Sequence, residues 1–255
     1  IRDRYKVKEQ LLMKVEPNVV ITEFIVNMDN IFHLYENQNV NIAEEVQEQT
    51  TSLARFGVPF YVLTNSSEGK DNDNLHIVNM KLFEHYPNLT LYFYRFLMAY
   101  DFLQAHPEIE RAALTDGKDV TMLNYPFDEV EDGILYIGDE WKRLGDVDII
   151  ANNDSPQYVK EFSAKNALRT LLNIGVIVGT REVLIEYLGI MVKLITDEQL
   201  KVHQGNKHAG LGTFEMEIGN YIAYRYFADR LVHGRQVTTV FKGFQEQSSA
   251  WFKHK

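Results

Sequence analysis

Two aspartates, Asp116 and Asp119, follow directly on the apolar run from Ala112 to Leu114. Gly117 lies between them, and a glycine lets the backbone fold tightly enough for both carboxylates to face one ion. Carboxylate oxygens are hard ligands that suit Mg²⁺ or Mn²⁺, with water and phosphate filling the remaining positions. Taken alone, however, these few residues favour an ordinary Asp-Gly turn at the end of a strand, which is a common arrangement.

A strand must carry the aspartates, and the surrounding sequence alternates strands with helices. Runs of β-branched and apolar residues predict strands over 18–26, 58–65, 75–80, 111–116, 133–140 and 173–179. Helical spacing of apolar residues, with capping residues and Gly or Pro at the ends, predicts helices over 41–57, 88–106, 155–172, 180–196 and 213–232. A further short strand region closes with the residues "AWFKHK".

This order of elements favours an α/β fold with a mainly parallel central sheet and helices on both faces. No linker, repeat or low-complexity tract divides the 255 residues, so a single domain is expected over 1–255. Ligands of such sheets bind beyond the carboxyl ends of the strands. The strand 111–116 therefore brings Asp116 to the edge of the sheet where a ligand is expected.

The longer segment "LTDGKDVTMLNYPF" resembles the metal-binding segment of GT-A glycosyltransferases, which take nucleotide-diphosphate sugars as donors. In several of these families an apolar strand leads into Thr or Ser, Asp, two residues, Asp-Val and a later Pro-Phe pair. The matching positions here are Thr115, Asp116, Asp119, Val120, Pro126 and Phe127. The spacing is an Asp-x-x-Asp variant of the commoner Asp-x-Asp motif. The resemblance implies a Rossmann-related GT-A domain, with a nucleotide-binding part over about 15–140 and an acceptor and sugar part over about 141–255.

Two further segments are similar to the same enzymes, so that the resemblance covers roughly residues 88–255. In the Asn-x-Gly strand of these enzymes a close backbone approach lines the sugar site, which here implies Asn173 and Gly175. The segment 233–255 is similar to their C-terminal segment, which ends in a metal-binding histidine, here His254. The resemblance thus implies Mn²⁺ or Mg²⁺ held by Asp116, Asp119 and His254.

Two large apolar residues, Trp251 and Phe252, stand just before His254. Apolar and polar residues alternate around them, so the segment is expected to pair as an edge strand or to lie across the domain. A tail that only covers the surface has no use for a tryptophan and a phenylalanine so close together. We expect both side chains to anchor the segment so that the imidazole of His254 reaches the cation.

Donor binding is assigned to Thr22, Arg95, Asp116, Asn173, Gly175 and Lys242. Thr22 lies on the first predicted strand, which is compatible with the nucleotide-binding first strand of the family. Arg95 lies on an apolar stripe of a helix, where a guanidinium needs an anion. That anion is either an internal carboxylate in a structural salt bridge, or the donor phosphate or Asp116. Lys242 offers an ammonium to a phosphate, although an ordinary surface lysine is the plainer interpretation.

Glu215 and Asn220 are the candidate catalytic residues, because they fall where similar enzymes carry an Asp and an Asn. A carboxylate there could bind acceptor hydroxyls or act as a base. Glu217, on the same helix, is interpreted as part of a solvated helix face. The glycine-rich loop 203–212 precedes this helix and predicts a lid that orders when the donor binds.

Composition and charge restrict the classes of function. A formal net charge of −10 argues against a nucleic-acid-binding surface, whereas a divalent cation would bring an anionic donor close to the carboxylates. The chain has no cysteine, so disulfides, thiolate zinc sites and cysteine nucleophiles are excluded. No transmembrane segment is expected. A cytoplasmic or membrane-peripheral location is expected, and a Golgi-type lumen stays open because an anchor could have been trimmed ahead of Ile1.

The expected function is a metal-dependent glycosyltransferase that moves a sugar from a nucleotide-diphosphate donor to a hydroxyl of a glycan, lipid or protein. Two alternatives stay open. One is a nucleotidyltransferase of similar fold, although those enzymes usually carry a glycine-rich loop with Lys or Arg after the first strand, which "FIVNMDNIFHLYENQ" lacks. The other is a non-catalytic carbohydrate- or metal-binding module in which the acidic pair is structural.

Overall fold

The computed structural model describes residues 14–26, 28, 40–67, 71–82, 86, 89–146, 154–239 and 248–254. Lys242, one of the predicted donor-binding residues, lies outside these ranges.

A central sheet of seven strands, ordered β3-β2-β1-β4-β7-β6-β8, runs through the described chain, and a second sheet of three strands has the order β5-β10-β9. The strands are β1 (Asn18–Phe24), β2 (Phe60–Thr64), β3 (Leu75–Asn79), β4 (Arg111–Thr115), β5 (Val120–Met122), β6 (Leu135–Arg143), β7 (Thr170–Thr180), β8 (Leu231–His233), β9 (Thr238–Thr239) and β10 (Phe252–His254). The helices are α1 (Ile42–Glu45), α2 (Gln47–Ala54), α3 (Leu91–Ala105), α4 (Gln157–Lys165), α5 (Arg181–His203) and α6 (Met216–Tyr226), with a 3₁₀ turn at Leu144–Asp146.

The central sheet is mostly parallel, which confirms the predicted α/β class. Strands β3, β2, β1 and β4 run parallel to one another, and β8 runs parallel to β6. Strand β7 is antiparallel to both of its neighbours, β4 and β6. Its residues are buried from Leu171 to Thr180 because the sheet continues on both sides of it and helices cover its face. The carboxyl end of β4 therefore meets the amino-terminal half of β7.

Several predicted helices have different bounds in the structure. The predicted helix 155–172 ends as α4 at Lys165, because the chain must reach β7 by Thr170. The predicted helix 213–232 is confined to α6, after which the chain returns to the sheet as β8. The predicted helix 41–57 is two short helices, α1 and α2. In contrast, the predicted helix 180–196 continues to His203 as α5.

The sheet separates two apolar cores. Helices α3, α5 and α6 cover one face, where Ile21 of β1 and Ile174 of β7 pack with Phe93 of α3. The other face packs against α2 and the three-stranded sheet, with Val176 and Trp251 among its members. Burial of this much apolar surface on both faces is what fixes the ends of β1, β4 and β7 relative to one another.

The three-stranded sheet brings the end of the sequence next to the turn after β4. Strand β10 pairs antiparallel with β5, so that His254 lies opposite Val120 and Phe252 lies opposite Met122. The side chains of Trp251 and Phe252 are almost completely buried, and the Trp251 ring packs against Tyr136 with the ring centroids 5.0 Å apart. These contacts anchor the C-terminal segment as expected. Within the described residues, no helix has the length and apolar character needed to cross a bilayer.

Candidate metal centre

Three side chains that can ligate a metal meet beyond the carboxyl end of β4. Asp116 follows the last residue of β4, and its backbone N–H donates to the Gly175 carbonyl oxygen over 2.8 Å. Asp119 ends the short turn that leads into β5, and β10 places His254 beside the first residue of β5. Strand pairing therefore assembles the cluster from two segments that are far apart in the sequence.

The distances within the cluster suit a shared cation. His254 Nε2 lies 3.4 Å from Asp116 Oδ2 and 3.6 Å from Asp119 Oδ1. One ligand atom from each of the three residues lies within 4.8 Å of the others. The His254 side chain is 1% exposed, whereas those of Asp116 and Asp119 are 31% and 43% exposed. The cluster is closed on the histidine side and open to solvent on the carboxylate side, which leaves room for a ligand.

His254 Nδ1 is buried and makes no hydrogen bond to any described residue, whereas Nε2 faces the carboxylates of Asp116 and Asp119. A buried polar atom without a partner costs about 1–3 kcal/mol, so native proteins rarely leave one unused. One imidazole nitrogen and two carboxylate oxygens form a donor set that fits a divalent cation such as Mn²⁺ or Mg²⁺. The residues present therefore fit the metal that the sequence predicts.

Gly175 gives the cluster its tight fit. A Cβ atom at this position would lie 2.4 Å from both Asp116 Oδ2 and His254 Cε1, so any other residue would displace two of the three ligands. The Asn173 Oδ1 accepts the N–H of Gly175 over 2.9 Å, and its Nδ2 donates to Glu140 Oε1 over 2.6 Å. The Asn-x-Gly segment of β7 thus contributes a glycine that admits the ligands and an asparagine that fixes the glycine backbone.

Arg95 of α3 pairs with the side of Asp116 that faces away from His254. Its Nη1 donates to Asp116 Oδ1, and its Nη2 donates to the Ile174 carbonyl oxygen over 3.0 Å. Burial would raise the pKa of Asp116, but the Arg95 guanidinium and the nearby His254 hold that pKa well below its usual range. The anion that Arg95 contacts in the structure is therefore the Asp116 carboxylate. The pairing keeps Asp116 ionised and leaves its Oδ2 directed at the cluster.

Glu215 lies on the other side of Arg95, just before α6, with its Oε1 3.9 Å from Arg95 Nη2. Burial raises the pKa of Glu215 to about 6, although Arg95 opposes the shift. A carboxyl group with a pKa near neutrality suits proton transfer. The structure therefore brings one predicted catalytic residue, Glu215, close to the cluster, with the Arg95 side chain between Glu215 and Asp116.

Glu23 is a residue of the site that the sequence interpretation missed. It lies next to the end of β1 on the face that packs against α3, and its Oε1 is buried without a hydrogen-bond partner among the described residues. Burial raises the pKa of Glu23 to about 8, with Arg95 opposing and Asp116 adding to the shift. The signal was present in the strand period, because Glu23 is spaced by two residues from Ile21 and from Ile25 and so shares the face of these core residues.

Two residues predicted on the helix after the loop have other surroundings. Asn220 is fully buried, and its amide bonds the backbone N–H and carbonyl of Leu172 and the Met216 carbonyl. This side chain ties α6 to β7, and the geometry does not support a catalytic role for it. The interpretation of Glu217 as a solvated residue is wrong, because it is 2% exposed and accepts hydrogen bonds from Ser155 and Ser163. These two hydroxyls make its burial possible.

Other residues around the turn after β4 contact neighbouring parts of the protein. Thr22 is fully buried, and its hydroxyl donates to the Thr115 carbonyl oxygen over 2.7 Å. A Cβ atom at Gly117 would lie 3.1 Å from that hydroxyl, so the close approach of the turn to β1 favours glycine there. Lys118 points away from the cluster and pairs with Glu45 over 2.6 Å. Donor contact by Thr22 stays a prediction.

The predicted lid is packed against α5. The N–H of Gly210 donates to Glu198 Oε2 over 3.1 Å, and the side chain of Leu211 is buried. Gly205 and Gly212 have φ angles of 88° and 84°, a left-handed conformation that other residues rarely adopt. The glycines therefore shape a docked loop, and its ordering by a donor stays a prediction.

Comparison of the chain with models of known protein families and with curated proteins finds no match.

Proposed function

We propose that the chain is a metal-dependent glycosyltransferase that moves a sugar from a nucleotide-diphosphate donor to a hydroxyl group. The observation that supports this most directly is the cluster of Asp116, Asp119 and His254 beyond the carboxyl end of β4. Its position follows the rule for ligand sites in open α/β sheets. Its donor set suits a cation that binds oxygen-rich ligands such as phosphates.

Asp116, Asp119 and His254 would hold the cation with their oxygen and nitrogen ligand atoms. When bound, Mn²⁺ or Mg²⁺ would stabilise the negative charge that the diphosphate leaving group gains as the glycosidic bond breaks. Arg95 acts through Asp116, because its guanidinium fixes one carboxylate oxygen and leaves the other for the ion. Arg95 is therefore proposed as a positioning residue.

Glu215 is the proposed base or acceptor-binding group. Its carboxylate is held 3.9 Å from Arg95, and a pKa of about 6 leaves it mostly ionised at neutral pH. In that state it can accept the proton of an acceptor hydroxyl, or a hydrogen bond from one. Gly175 would form the wall beside the sugar, because its Cα is the point of β7 that Asp116 and His254 approach closely, and Asn173 would hold that backbone in place.

Donor hydrolysis tests the proposal. A panel of UDP- and GDP-sugars would be incubated with the protein and Mn²⁺, Mg²⁺ or EDTA, and the released sugar and nucleotide measured. We expect at least one donor to be cleaved only with metal, and Asp116→Asn to reduce the rate at least ~100-fold, since metal stabilisation of charge is worth several kcal/mol. Asp128→Asn, an exposed aspartate, is the matched control and should retain the rate.

Other results would contradict the proposal. Equal cleavage rates with Mn²⁺ and with EDTA would show that the reaction does not require a metal ion. Mn²⁺ binding without turnover of any donor would favour a non-catalytic module. Release of pyrophosphate from a nucleoside triphosphate in the presence of a sugar phosphate would favour a nucleotidyltransferase.

A further inference from the structure

A bulge in β7 brings the backbone of this strand to the metal cluster. In the ladder between β6 and β7, Ile137 pairs with Ile177, whereas the next residue, Gly138, pairs with Asn173. Residues 174–176 of β7 lie between these two pairs, so β7 bulges at this point. Bulges are common beside functional sites, where they redirect a side chain or a stretch of backbone.

The backbone of the bulge bonds to the cluster and to Asn173. The Ile174 carbonyl oxygen accepts Arg95 Nη2 over 3.0 Å. The Gly175 carbonyl oxygen accepts the backbone N–H of Asp116 over 2.8 Å. The Gly175 N–H donates to Asn173 Oδ1 over 2.9 Å, so a side chain supplies the acceptor that a neighbouring strand supplies in a regular ladder.

Asn173 can accept the Gly175 N–H in only one orientation of its amide. Its Oδ1 must face that N–H, because the amide NH₂ group would bring a second donor there. Glu140 determines this orientation, since its Oε1 accepts Asn173 Nδ2 over 2.6 Å and an ionised carboxylate can only accept hydrogen bonds. An amide turned by half a rotation would set oxygen against the carboxylate and NH₂ against the Gly175 N–H, and both hydrogen bonds would be lost.

Glu140 lies where β6 is irregular as well. The register of β6 against β7 shifts between Asp139 and Arg143, and Glu140 lies within this shift. Side chains of a regular strand alternate between the two faces, and a bulge changes their direction. The half-buried Glu140 and the buried Asn173 therefore join two irregular segments of one ladder.

We propose that Glu140 is a positioning residue of the metal centre and acts through Asn173. Glu140 fixes the amide of Asn173, and the amide fixes the backbone of Gly175. A Cβ atom at Gly175 would overlap atoms of Asp116 and His254, so a small shift of this backbone changes where the ligand atoms meet. Groups that orient metal ligands from outside the coordination sphere influence metal affinity. The inference rests on the metal centre of the proposed function, and it does not depend on sugar transfer.

Isothermal titration of the full chain with Mn²⁺ at one fixed pH tests the inference. Glu140→Leu removes the acceptor and should weaken Mn²⁺ binding about fivefold to tenfold, as expected for the loss of one buried hydrogen bond. Glu140→Gln can still present an oxygen to Asn173 and should bind Mn²⁺ about as the parent does. Glu161→Leu is the matched control, because this exposed glutamate of α4 accepts Gln157 Nε2 over 3.2 Å and should not affect the centre.

Two comparisons separate the hydrogen bond from the charge of Glu140. Glu140→Gln and Glu140→Leu both remove one negative charge, so a difference between them reports the hydrogen bond. Asn173→Ala should also weaken Mn²⁺ binding, and adding Glu140→Leu to it should have little further effect, because Glu140 acts through Asn173.

A second pair of variants keeps the test decisive if Glu140→Leu fails to fold. Asn173→Asp sets a carboxylate against Glu140 and should weaken Mn²⁺ binding, and adding Glu140→Gln should restore it. In that double variant the glutamine amide donates to one aspartate oxygen, and the other oxygen accepts the Gly175 N–H. Removing a negative charge near the cation would by itself weaken binding further, so charge and positioning predict changes of opposite sign.

Several results would overturn the inference. Folded Glu140→Leu that binds Mn²⁺ like the parent, or Glu140→Gln that binds as weakly as Glu140→Leu, would exclude the positioning role. A parent protein that does not bind Mn²⁺ would overturn the inference together with the proposed function. Metal-dependent donor cleavage by the parent, with unchanged Mn²⁺ binding in Glu140→Leu, would overturn the inference alone. Weaker Mn²⁺ binding in Glu140→Leu, rescued by Glu140→Gln, without donor cleavage by the parent would support the inference and overturn the proposed function.

Discussion

Metal affinity should rise steeply with pH, because His254 must lose a proton before it can ligate a cation. Burial alone would lower the pKa of this imidazole, but the carboxylates of Asp116 and Asp119 raise it to about 9. The imidazolium therefore predominates at pH 7 in the metal-free protein. Because this pKa lies about two units above pH 7, and one unit corresponds to about 1.4 kcal/mol, removing the proton costs about 3 kcal/mol. The apparent affinity at pH 7 is thus roughly 100-fold below its limit.

The sign of the dependence follows from the raised pKa. Below about pH 9, each rise of one pH unit increases the neutral fraction of His254 roughly tenfold. The logarithm of the Mn²⁺ or Mg²⁺ association constant should therefore rise with pH with a slope near 1 and level off above that pH. Isothermal titration at pH 6.5–8.5, in buffers of different ionisation enthalpy, measures both the affinity and the protons released. We expect close to one proton per ion at pH 7.

Two variants make this prediction decisive. His254→Ala removes the titrating ligand, so metal binding should become weaker at high pH and lose most of its pH dependence. His233→Ala is the matched control, because that exposed imidazole pairs with Asp139 outside the cluster. An affinity that stays flat across this pH range in the parent protein would refute the reasoning. Equal proton release by the parent and His254→Ala would refute it as well.

Two further substitutions test how the fold supports the centre. Gly175→Ala would place a Cβ atom 2.4 Å from atoms of two ligands, so metal affinity should fall at least tenfold by titration, whereas Gly189→Ala, with its nearest neighbour 3.5 Å away, should retain it. Trp251→Ala should lower the free energy of unfolding by about 3–5 kcal/mol in denaturant titrations, as for other buried aromatics. The 70% exposed Trp141 is the control, and Trp141→Ala should change stability by less than about 0.5 kcal/mol.

The sequence predicted the class of the fold because strand and helix periods are local signals. The run from Ala112 to Leu114 and the aspartates after it were sufficient to place a carboxylate at a strand end. Trp251 and Phe252 were sufficient to predict that the segment carrying His254 is anchored, since large apolar side chains need a core. These predictions depended on residues whose surroundings follow from their own chemistry.

Other features depend on long-range pairing, which no local pattern encodes. The antiparallel direction of β7 is set by its neighbours, because a strand buried on both faces has the same composition in either direction. Glu217 can be buried because the hydroxyls of Ser155 and Ser163 donate hydrogen bonds to its carboxylate, and both serines are far from it in the sequence. Likewise Asn220 bonds the backbone of β7 instead of a ligand. Such hydrogen-bond partners become visible only once the elements are packed.

The pairing of β10 with β5 also determines when the proposed metal centre can form. Ribosomes synthesise Asp119 long before His254, and at ~5–20 residues per second the interval between them is on the order of ten seconds. During that interval the nascent chain carries two carboxylates of the centre and lacks the buried imidazole. Closing so large a loop makes this pairing a late event in folding. A tightly bound ion would therefore mark chains that have finished folding, and partly synthesised chains would hold it only weakly.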